Sequence, residues 1–148
     1  MSTTATAATT DVSGPVIHAY SRRDAIRDGA LVDVTATARE NGITMPVALT
    51  SGAWADVVAW DEADNDRKGT AQSETGRLHD VLSIAFWALA ANRNRLAAAG
   101  IRIQMPMVRT PRAGRGAVPR RVVLHMVAGV GDDGSAVVTI MGADEDAR

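Results

Sequence analysis

Arginine residues are concentrated in one short stretch of the sequence, between residues 109 and 121. This stretch contains several Gly and Pro residues and no Asp or Glu. A guanidinium group donates bidentate hydrogen bonds and keeps its charge at physiological pH, so a basic loop can follow a nucleic-acid backbone or clamp an acidic protein surface. The alternative is a solvated hairpin tip, because no aromatic residue stands among the arginines to stack on bases. The predicted contact residues are Arg109, Arg112, Arg115, Arg120 and Arg121.

A second group of polar residues is a candidate ligand pocket for a phosphate or nucleotide group. Three of them lie at a predicted strand-to-helix junction, and two open a predicted long helix, where the N-terminus favours anions. This alternative requires five side chains to lie together in one pocket, and it would make the protein a small enzyme or a nucleotide sensor. The structural interpretation instead pairs Arg77 with Asp80 on the helix surface. The candidate pocket residues are His18, Tyr20, Arg22, Arg77 and His79.

The sequence carries no signature of a catalytic centre, a metal site or a cofactor site. It contains no cysteine, which excludes disulfides, thiolate zinc sites and a cysteine nucleophile. His18, His79 and His125 lack the spacing of a metal-binding helix motif. Ser51 is not flanked by the glycines of a nucleophile elbow. We therefore expect no catalytic residue, no metal and no cofactor, and a non-enzymatic role is favoured.

Length and composition predict one globular domain. The 148 residues are 46% hydrophobic and 22% charged, with a formal net charge of -1. A chain of this size can bury a single core, and its near-neutral charge means that attraction to a polyanion must come from a local patch. No signal peptide or bilayer-spanning apolar run is present, which predicts a cytoplasmic protein without a membrane partner. The predicted divisions are a disordered tail at 1–14, a single α+β domain at 15–142 and an acidic tail at 143–148.

One long amphipathic helix is predicted for residues 74–99. Apolar residues recur on one face from Leu78 to Leu89 at helical spacing, and Gly100 follows as a stop. The predicted fold class is α+β, with a three-stranded antiparallel C-terminal meander packed on this helix, and with an N-terminal strand and short helices beside it. The three strands are predicted at residues 101–108, 121–130 and 136–141, with a tight turn at 131–134.

The N-terminal half is predicted to add short elements to this meander. Pro46 favours an edge position or a loop entry for the strand around it, and Pro106 favours an edge strand or a bulge. Residues 61–73 are polar and are predicted to be a mobile loop or a frayed helix extension. The remaining elements are strands at residues 16–20 and 45–49, and helices at 21–29, at 35–39 with Gly42 as the stop, and at 53–60.

Four segments together resemble a known family. They are VIHAYSRRDAIRDGALVDV at residues 16–34, PVALT at 46–50, GRLHDVL at 76–82 and GDDG at 131–134. Their order and spacing are similar to those of a family of small uncharacterised proteins found in bacteria, phages and plasmids, a domain of unknown function. The resemblance extends from about residue 16 to residue 146. It implies accessory cargo of a mobile genetic element and brings no catalytic role with it.

These observations favour a non-enzymatic binding protein of a mobile element. It would contact a nucleic acid or an acidic host protein through the arginine-rich segment, with inhibition of a host defence as one such role. The alternatives are the small enzyme or nucleotide sensor described above, and a homo-oligomeric module in which strand edges or the long helix pair across a two-fold axis. A homodimer is accordingly among the expected partners.

Overall fold

The computed structural model describes residues 20–96 and 100–145 of the chain. Within these residues, five strands form one sheet and five helices accompany it. The strands are β1 (Leu31–Asp33), β2 (Val47–Thr50), β3 (Arg102–Arg109), β4 (Arg120–Val130) and β5 (Ala136–Gly142). The helices are α1 (Arg22–Arg27), α2 (Thr35–Glu40), α3 (Ser51–Ala53, continued by a π-helical segment, Trp54–Val58), α4 (Glu62–Lys68) and α5 (Glu74–Ala91, followed by a 3₁₀ turn, Arg93–Arg95).

The sheet is mixed, with the strand order β1-β2-β5-β4-β3. The last three strands pair antiparallel as neighbours, but β2 pairs parallel with β5 and antiparallel with β1. The α+β class is confirmed, whereas the three-stranded meander was wrong because the sheet has five strands of mixed direction. The first two strands contain three and four residues, which is too few for an alternating pattern to indicate their partners.

The two prolines near strands have different positions in the sheet. Pro106 lies in β3, which is an edge strand as predicted. Pro46 immediately precedes β2, which lies in the interior between β1 and β5. An interior position is possible because Pro46 contributes only its carbonyl, which accepts a hydrogen bond from the Val138 N–H at 2.9 Å. The edge position predicted for the strand around Pro46 was therefore wrong; Pro46 lies where the loop before β2 meets that strand.

Helix α5 forms the predicted amphipathic helix but ends earlier than expected. Its buried face carries Val81, Leu82 and Ala85, each inaccessible to solvent. The helix ends at Ala91, where the Asn92 side-chain amide donates to the Ala88 carbonyl at 2.8 Å. Asparagine competes in this way for backbone groups and disfavours helix continuation. The predicted continuation of the helix was therefore wrong for residues 92–96. Residues 97–99, which the prediction also included, lie outside the described part.

Residues 61–73, predicted as a loop or frayed extension, contain helix α4. Asp61 and Asp64 form a capping box, in which each carboxylate accepts from the other residue's backbone N–H. Gly69 ends the helix with a positive φ of 65°, a conformation that glycine adopts without a Cβ penalty. The loop prediction was wrong for this helix because the residues between the two end signals are polar and form no apolar stripe that would indicate a helix. The buried members of α4 are Asp64, Asn65 and Lys68.

The hydrophobic core lies between the helices and one face of the sheet. Met105, Leu124 and Ile140 come from three adjacent strands and are fully buried in one cluster with Val81 and Leu82 of α5. Burying each such side chain contributes about 1.5–3 kcal/mol, so this layer holds α5 and the sheet in a fixed relation. Two consequences for the site follow: the first turn of α5 lies near the end of β3, and α4 lies near the β3–β4 connection.

Several predictions fall on residues outside the described part, namely the tail at residues 1–14, the strand at 16–19 and His18. Of the predicted acidic tail, residues 143–145 are described. There the Glu145 carboxylate accepts from the Thr50 hydroxyl at 2.8 Å and from the Gly142 N–H at 2.6 Å, so it is anchored to the fold rather than solvated. Among the described helices, none combines the length and apolar character that a bilayer crossing needs.

Candidate functional site

The connection between β3 and β4, residues 110–119, is held against helix α4. Arg67 donates from Nε and Nη2 to two carbonyls of this connection, at 3.1 and 2.8 Å. The Lys68 ammonium, on a residue only 8% exposed, donates to two more carbonyls at 3.2 and 2.6 Å. These four hydrogen bonds fix the backbone of the hairpin on α4. The accepting carbonyls belong to Arg112, Ala113, Gly114 and Gly116.

Two of the five predicted contact arginines pair with carboxylates of the same chain. Arg109 donates from Nε and Nη2 to Asp56 Oδ1, at 3.0 and 2.8 Å. Arg112 donates to Asp64 at 2.8 Å and to Asp61 at 3.1 Å. The absence of acidic residues from the arginine-rich stretch is therefore a property of the sequence alone. In space, the stretch lies against the carboxylates of α4 and of the π-helical segment.

Asp64 is the centre of this charge network. Its side chain is nearly inaccessible and accepts from Arg67 at 2.7 Å and from Arg112 at 2.8 Å. Burial alone would raise the pKa of Asp64, but hydrogen bonds from Arg67, the Asp61 backbone and Arg112 outweigh it and bring the pKa far below its usual range. The carboxylate is therefore ionised at physiological pH and holds two cations in place.

The other three predicted contact residues, Arg115, Arg120 and Arg121, are exposed. None of them lies within ion-pair distance of a carboxylate in the described residues. Two valines next to them are also exposed, Val108 at 61% and Val118 at 70%. Arg121 and Val108 are cross-strand partners and thus share one face of the sheet, whereas Arg120 is the partner of Arg109 and projects from the opposite face of the same hairpin. We call these five residues the hairpin surface: Val108, Arg115, Val118, Arg120 and Arg121.

Arg77 points into the protein, although its charge had suggested a surface position. The residue is 6% exposed, and its guanidinium lies 4.5 Å from the centroid of the Trp60 ring. It donates to the carbonyls of Val58, Asp56 and Thr110, and to Gln72 Oε1 at 2.8 Å. Two of these carbonyls end the π-helical segment, where backbone acceptors lack partners within the helix. Arg77 therefore joins the first turn of α5 to that segment and to the end of β3.

A cavity of about 430 Å³ lies beside Arg77. We call it the Arg77 cavity; its polar lining includes Arg77, Arg109, Gln72, Thr110 and Asp80, and its apolar lining includes Val57, Met107 and Pro119. Burial, and then the neighbouring Arg109 cation, lower the pKa of Arg77 below its ordinary value, while Asp56 and Asp64 oppose this shift. A cation therefore borders the cavity. Carbonyl dipoles compensate its charge, and no carboxylate of the described residues bonds to it directly.

The residues of the alternative ligand pocket do not converge. Tyr20 is exposed and donates from its hydroxyl to Asp28 at 2.8 Å. The Arg22 guanidinium donates to the Thr139 hydroxyl at 2.7 Å, and it borders a different cavity from the one beside Arg77. The four described members of this predicted pocket therefore lie at separate places, and His18 lies outside the described residues.

His79 and Asp80 also differ from their sequence-based interpretation. The His79 ring contacts the Asn41 amide at 3.0 Å and Glu40 at 3.6 Å, which joins α5 to the end of α2. Arg77 and Asp80 form no ion pair within the described residues, because the Arg77 side chain turns inward. A sequence signal for this burial does exist: Arg77 stands four residues before Val81 and eight before Ala85, on the apolar stripe of α5.

Sequence reasoning missed the acidic and basic residues that hold the hairpin. The capping-box pattern of Asp61 and Asp64 was the available signal for α4, but nothing local indicates that α4 lies under the hairpin. Among the described residues there is no group of three or more His, Asp or Glu side chains that could hold a metal ion. The arrangement exposes three guanidinium groups, those of Arg115, Arg120 and Arg121, which pair with no carboxylate in the part of the chain that the structure describes.

Comparison with known proteins identifies a family but no activity. Neither the curated proteins nor the solved structures include a match to the chain. A family model, described as a family of unknown function (DUF6573), matches residues 8–146. Since this match extends over nearly the whole sequence, the chain belongs to that family of unknown function.

Proposed function

We propose that this chain is a non-enzymatic binding protein whose hairpin surface contacts an acidic surface of another protein. The observation that carries the proposal is that one hairpin exposes three arginines without a carboxylate partner in the described residues, together with Val108, the cross-strand partner of Arg121, and Val118. Arginine together with apolar side chains is the composition enriched at protein interfaces. Guanidinium forks also recognise carboxylates bidentately.

The charge around the hairpin favours a protein partner over a nucleic acid. Arg109 and Arg112 are already neutralised by Asp56, Asp61 and Asp64. Helix α4 also exposes further carboxylates beside the hairpin, on Glu62 and Asp66. Binding to a phosphate backbone depends on a continuous excess of positive charge, and these carboxylates reduce that excess. A protein surface offers discrete carboxylates that three arginines can match individually.

The hairpin backbone supports this proposal because it is organised before a partner arrives. Arg67 and Lys68 hold four of its carbonyls on α4. A surface that is ordered in advance loses less conformational entropy on association than a free loop does. The arginine side chains alone then remain to be ordered by the partner.

The resemblance to small proteins of bacteria, phages and plasmids supports a host protein as the partner. Within this proposal, the chain is cargo of a mobile genetic element. It binds its partner and blocks the surface that it covers, and inhibition of a host defence is the expected consequence. Chemistry by the chain itself is not part of the proposal, since its described candidate pocket residues lie apart.

The test compares two triple variants with the same change in net charge. In the first, R115Q, R120Q and R121Q are combined; in the second, R39Q, R93Q and R95Q remove three exposed arginines elsewhere. Each protein captures partners from a lysate of the native host, and binding of the recovered partner is then measured by calorimetry with purified components. We expect the hairpin variant to lose at least about tenfold in affinity, as for several charge-assisted contacts, and the control variant to bind normally.

Filter binding to DNA and RNA at physiological salt runs in parallel on the same proteins. If the hairpin variant loses nucleic-acid binding and the control variant keeps it, the partner of the hairpin surface is a nucleic acid and not a protein. Equal behaviour of both variants in every assay would contradict the proposal.

A homo-oligomer is the second candidate, and one observation favours it. β3 is an eight-residue edge strand, and exposed edges are templates for pairing with another chain. Pro106 limits such pairing because it has no N–H to donate. Light scattering measures the molar mass in solution, and a monomer at micromolar concentration would exclude this candidate.

A further inference from the structure

The Arg77 cavity has a lining suited to an anionic group. Two guanidinium groups, those of Arg77 and Arg109, border it, against a single carboxylate, that of Asp80. The Arg109 charge is shared with Asp56, but both of its bonded nitrogens donate to one oxygen, Asp56 Oδ1. Asp56 compensates the Arg109 charge, whereas Arg77 has no bonded carboxylate among the described residues. Arg77 therefore supplies the attraction for an anion entering the cavity, and Asp80 opposes it.

The two arginines also retain hydrogen-bond donors. A guanidinium group has five N–H groups. The bonds of Arg77 to Val58, Gln72, Thr110 and Asp56 use four of them and leave one on Nη2. Arg109 uses three, toward Asp56 and the Arg120 carbonyl, and leaves one on each terminal nitrogen. Within the described residues these donors have no acceptor, although one of the two cations is almost completely buried.

We propose that the Arg77 cavity binds an oxyanion, a carboxylate or phosphate group carried by a small molecule, through the remaining N–H groups of Arg77 and Arg109. The Gln72 amide, which donates only one of its N–H groups within the described residues, to Thr110 at 2.9 Å, supplies a further donor. The apolar walls, Val57, Met107 and Pro119, contact the rest of the ligand. Asp80 opposes the anion and sets the strength of binding.

This site differs from the hairpin surface and requires no macromolecular partner. Arg77 is buried, whereas Arg115, Arg120 and Arg121 are exposed, and none of those three lines the cavity. A cavity of about 430 Å³ has room for a small metabolite rather than a polymer. Val108 belongs to the hairpin surface and also lines the cavity. The hairpin test changes only Arg115, Arg120 and Arg121, so either site can fail its own test while the other passes.

The experiment is a titration of the full chain, labelled with ¹⁵N, with two probes in separate arms: inorganic phosphate and succinate. Sodium chloride keeps the ionic strength constant throughout. The readouts are the Gly76 backbone amide, which lines the cavity, and the Nε–H signals of Arg77 and Arg109. Saturable shifts of these signals with at least one probe are expected, and the arm that binds more tightly assigns the anion as phosphate or carboxylate.

Three variants show whether the cavity is responsible. R109Q removes a cation from the lining and is expected to weaken binding by at least about tenfold, the loss typical of hydrogen bonds to a charged group. D80N removes the opposing carboxylate on the surface of α5 and is expected to tighten binding by about threefold, as for a partly screened charge pair. R39Q removes an exposed arginine of α2 outside the cavity lining and should leave the affinity unchanged.

D80N keeps the test decisive even if R109Q does not fold. Shifts that do not saturate with either probe would overturn the proposal. So would equal weakening by R109Q and R39Q, since that pattern reports general attraction to positive charge, and so would an affinity that D80N leaves unchanged or lowers.

Discussion

Arg77 stacks on Trp60, with the guanidinium carbon 4.5 Å from the ring centroid, and both residues are at most 6% exposed. The indole N–H of Trp60 in turn donates to Asn65 Oδ1 at 2.8 Å. A cation over an aromatic face is stabilised by the ring quadrupole, more strongly where water is excluded. This stack therefore connects α5 to α4 and holds in place both the cavity and the platform under the hairpin.

Replacing Arg77 with methionine should destabilise the protein by about 3 kcal/mol, because two buried carbonyls and one half-buried carbonyl lose their donor and Trp60 loses its cation. Urea denaturation monitored by circular dichroism gives the free energy of unfolding. The matched variant, Arg115→Met, changes an exposed arginine and should differ from the wild type by less than about 0.5 kcal/mol. Equal unfolding free energies for the two variants would contradict the structural role assigned to Arg77.

Asn65→Ala should cost about 2 kcal/mol of stability. The Asn65 side chain accepts from Trp60, Thr70 and the Gln72 N–H, and it donates to the Gln72 carbonyl at 2.8 Å. Alanine leaves these groups without a partner in a buried position. Thermal and urea unfolding measure the loss, and Asn94→Ala, an exposed position in the 3₁₀ turn, is the control. A loss no larger than that of the control would show that the network around Asn65 adds nothing.

Asp64 should make the protein sensitive to acid. Its pKa in the folded protein lies below the unfolded value of 3.8, so its stabilising contribution is complete above that value and is lost as the pH falls toward the folded pKa. The melting temperature of the wild type should therefore fall steeply between about pH 5 and about pH 2. Asp64→Asn should be less stable at neutral pH and should show a flatter decline.

Asp66→Asn is the control for that series, because Asp66 is an exposed neighbour on the same helix and forms no ion pair in the described part of the chain. It should keep the wild-type pH profile. Parallel profiles for the wild type and Asp64→Asn would remove Asp64 as the source of acid sensitivity.

Alanine substitutions at two glycines distinguish the cost of backbone strain from the cost of a steric contact. Gly42 and Gly29 have positive φ angles of 89° and 83°, and a Cβ at Gly42 would lie 3.0 Å from the Phe86 ring, whereas a Cβ at Gly29 would meet nothing within 4 Å. Alanine at either position should cost about 1 kcal/mol for the left-handed backbone. Gly42→Ala should cost more because Phe86 has to move. Unfolding free energies that fall equally in both variants would show that Phe86 adapts freely.

The elements that the sequence predicts well are those whose signals lie within a few residues. The apolar stripe of α5 depends on helical spacing alone, and its buried face is where the pattern places it. The turn before β5 depends on Gly134, whose φ of 84° most other residues resist. The edge position of β3 follows from Pro106, which has no N–H for an interior ladder. For the site, the sequence identified three arginines that the structure exposes, Arg115, Arg120 and Arg121.

Contacts between distant residues decided the rest. Arg109 meets Asp56 across 53 positions of the chain, and Arg112 meets Asp64 across 48. No local pattern encodes such pairs, because a charged side chain is stable in solvent without a partner, and only tertiary packing brings an opposite charge beside it. The same holds for β2 and β5, whose parallel pairing joins segments some 90 residues apart.

The sequence by itself determined that this chain forms an α+β fold with an amphipathic helix and an arginine-rich hairpin. Short-range spacing, capping and turn chemistry are sufficient for that. Only the tertiary structure decided that two of the five arginines are neutralised, that Lys68 and Arg67 hold the hairpin, and that Arg77 turns inward beside a cavity. The reason is physical: burial and charge pairing depend on which surfaces meet when the core closes, and that meeting is a property of the whole fold.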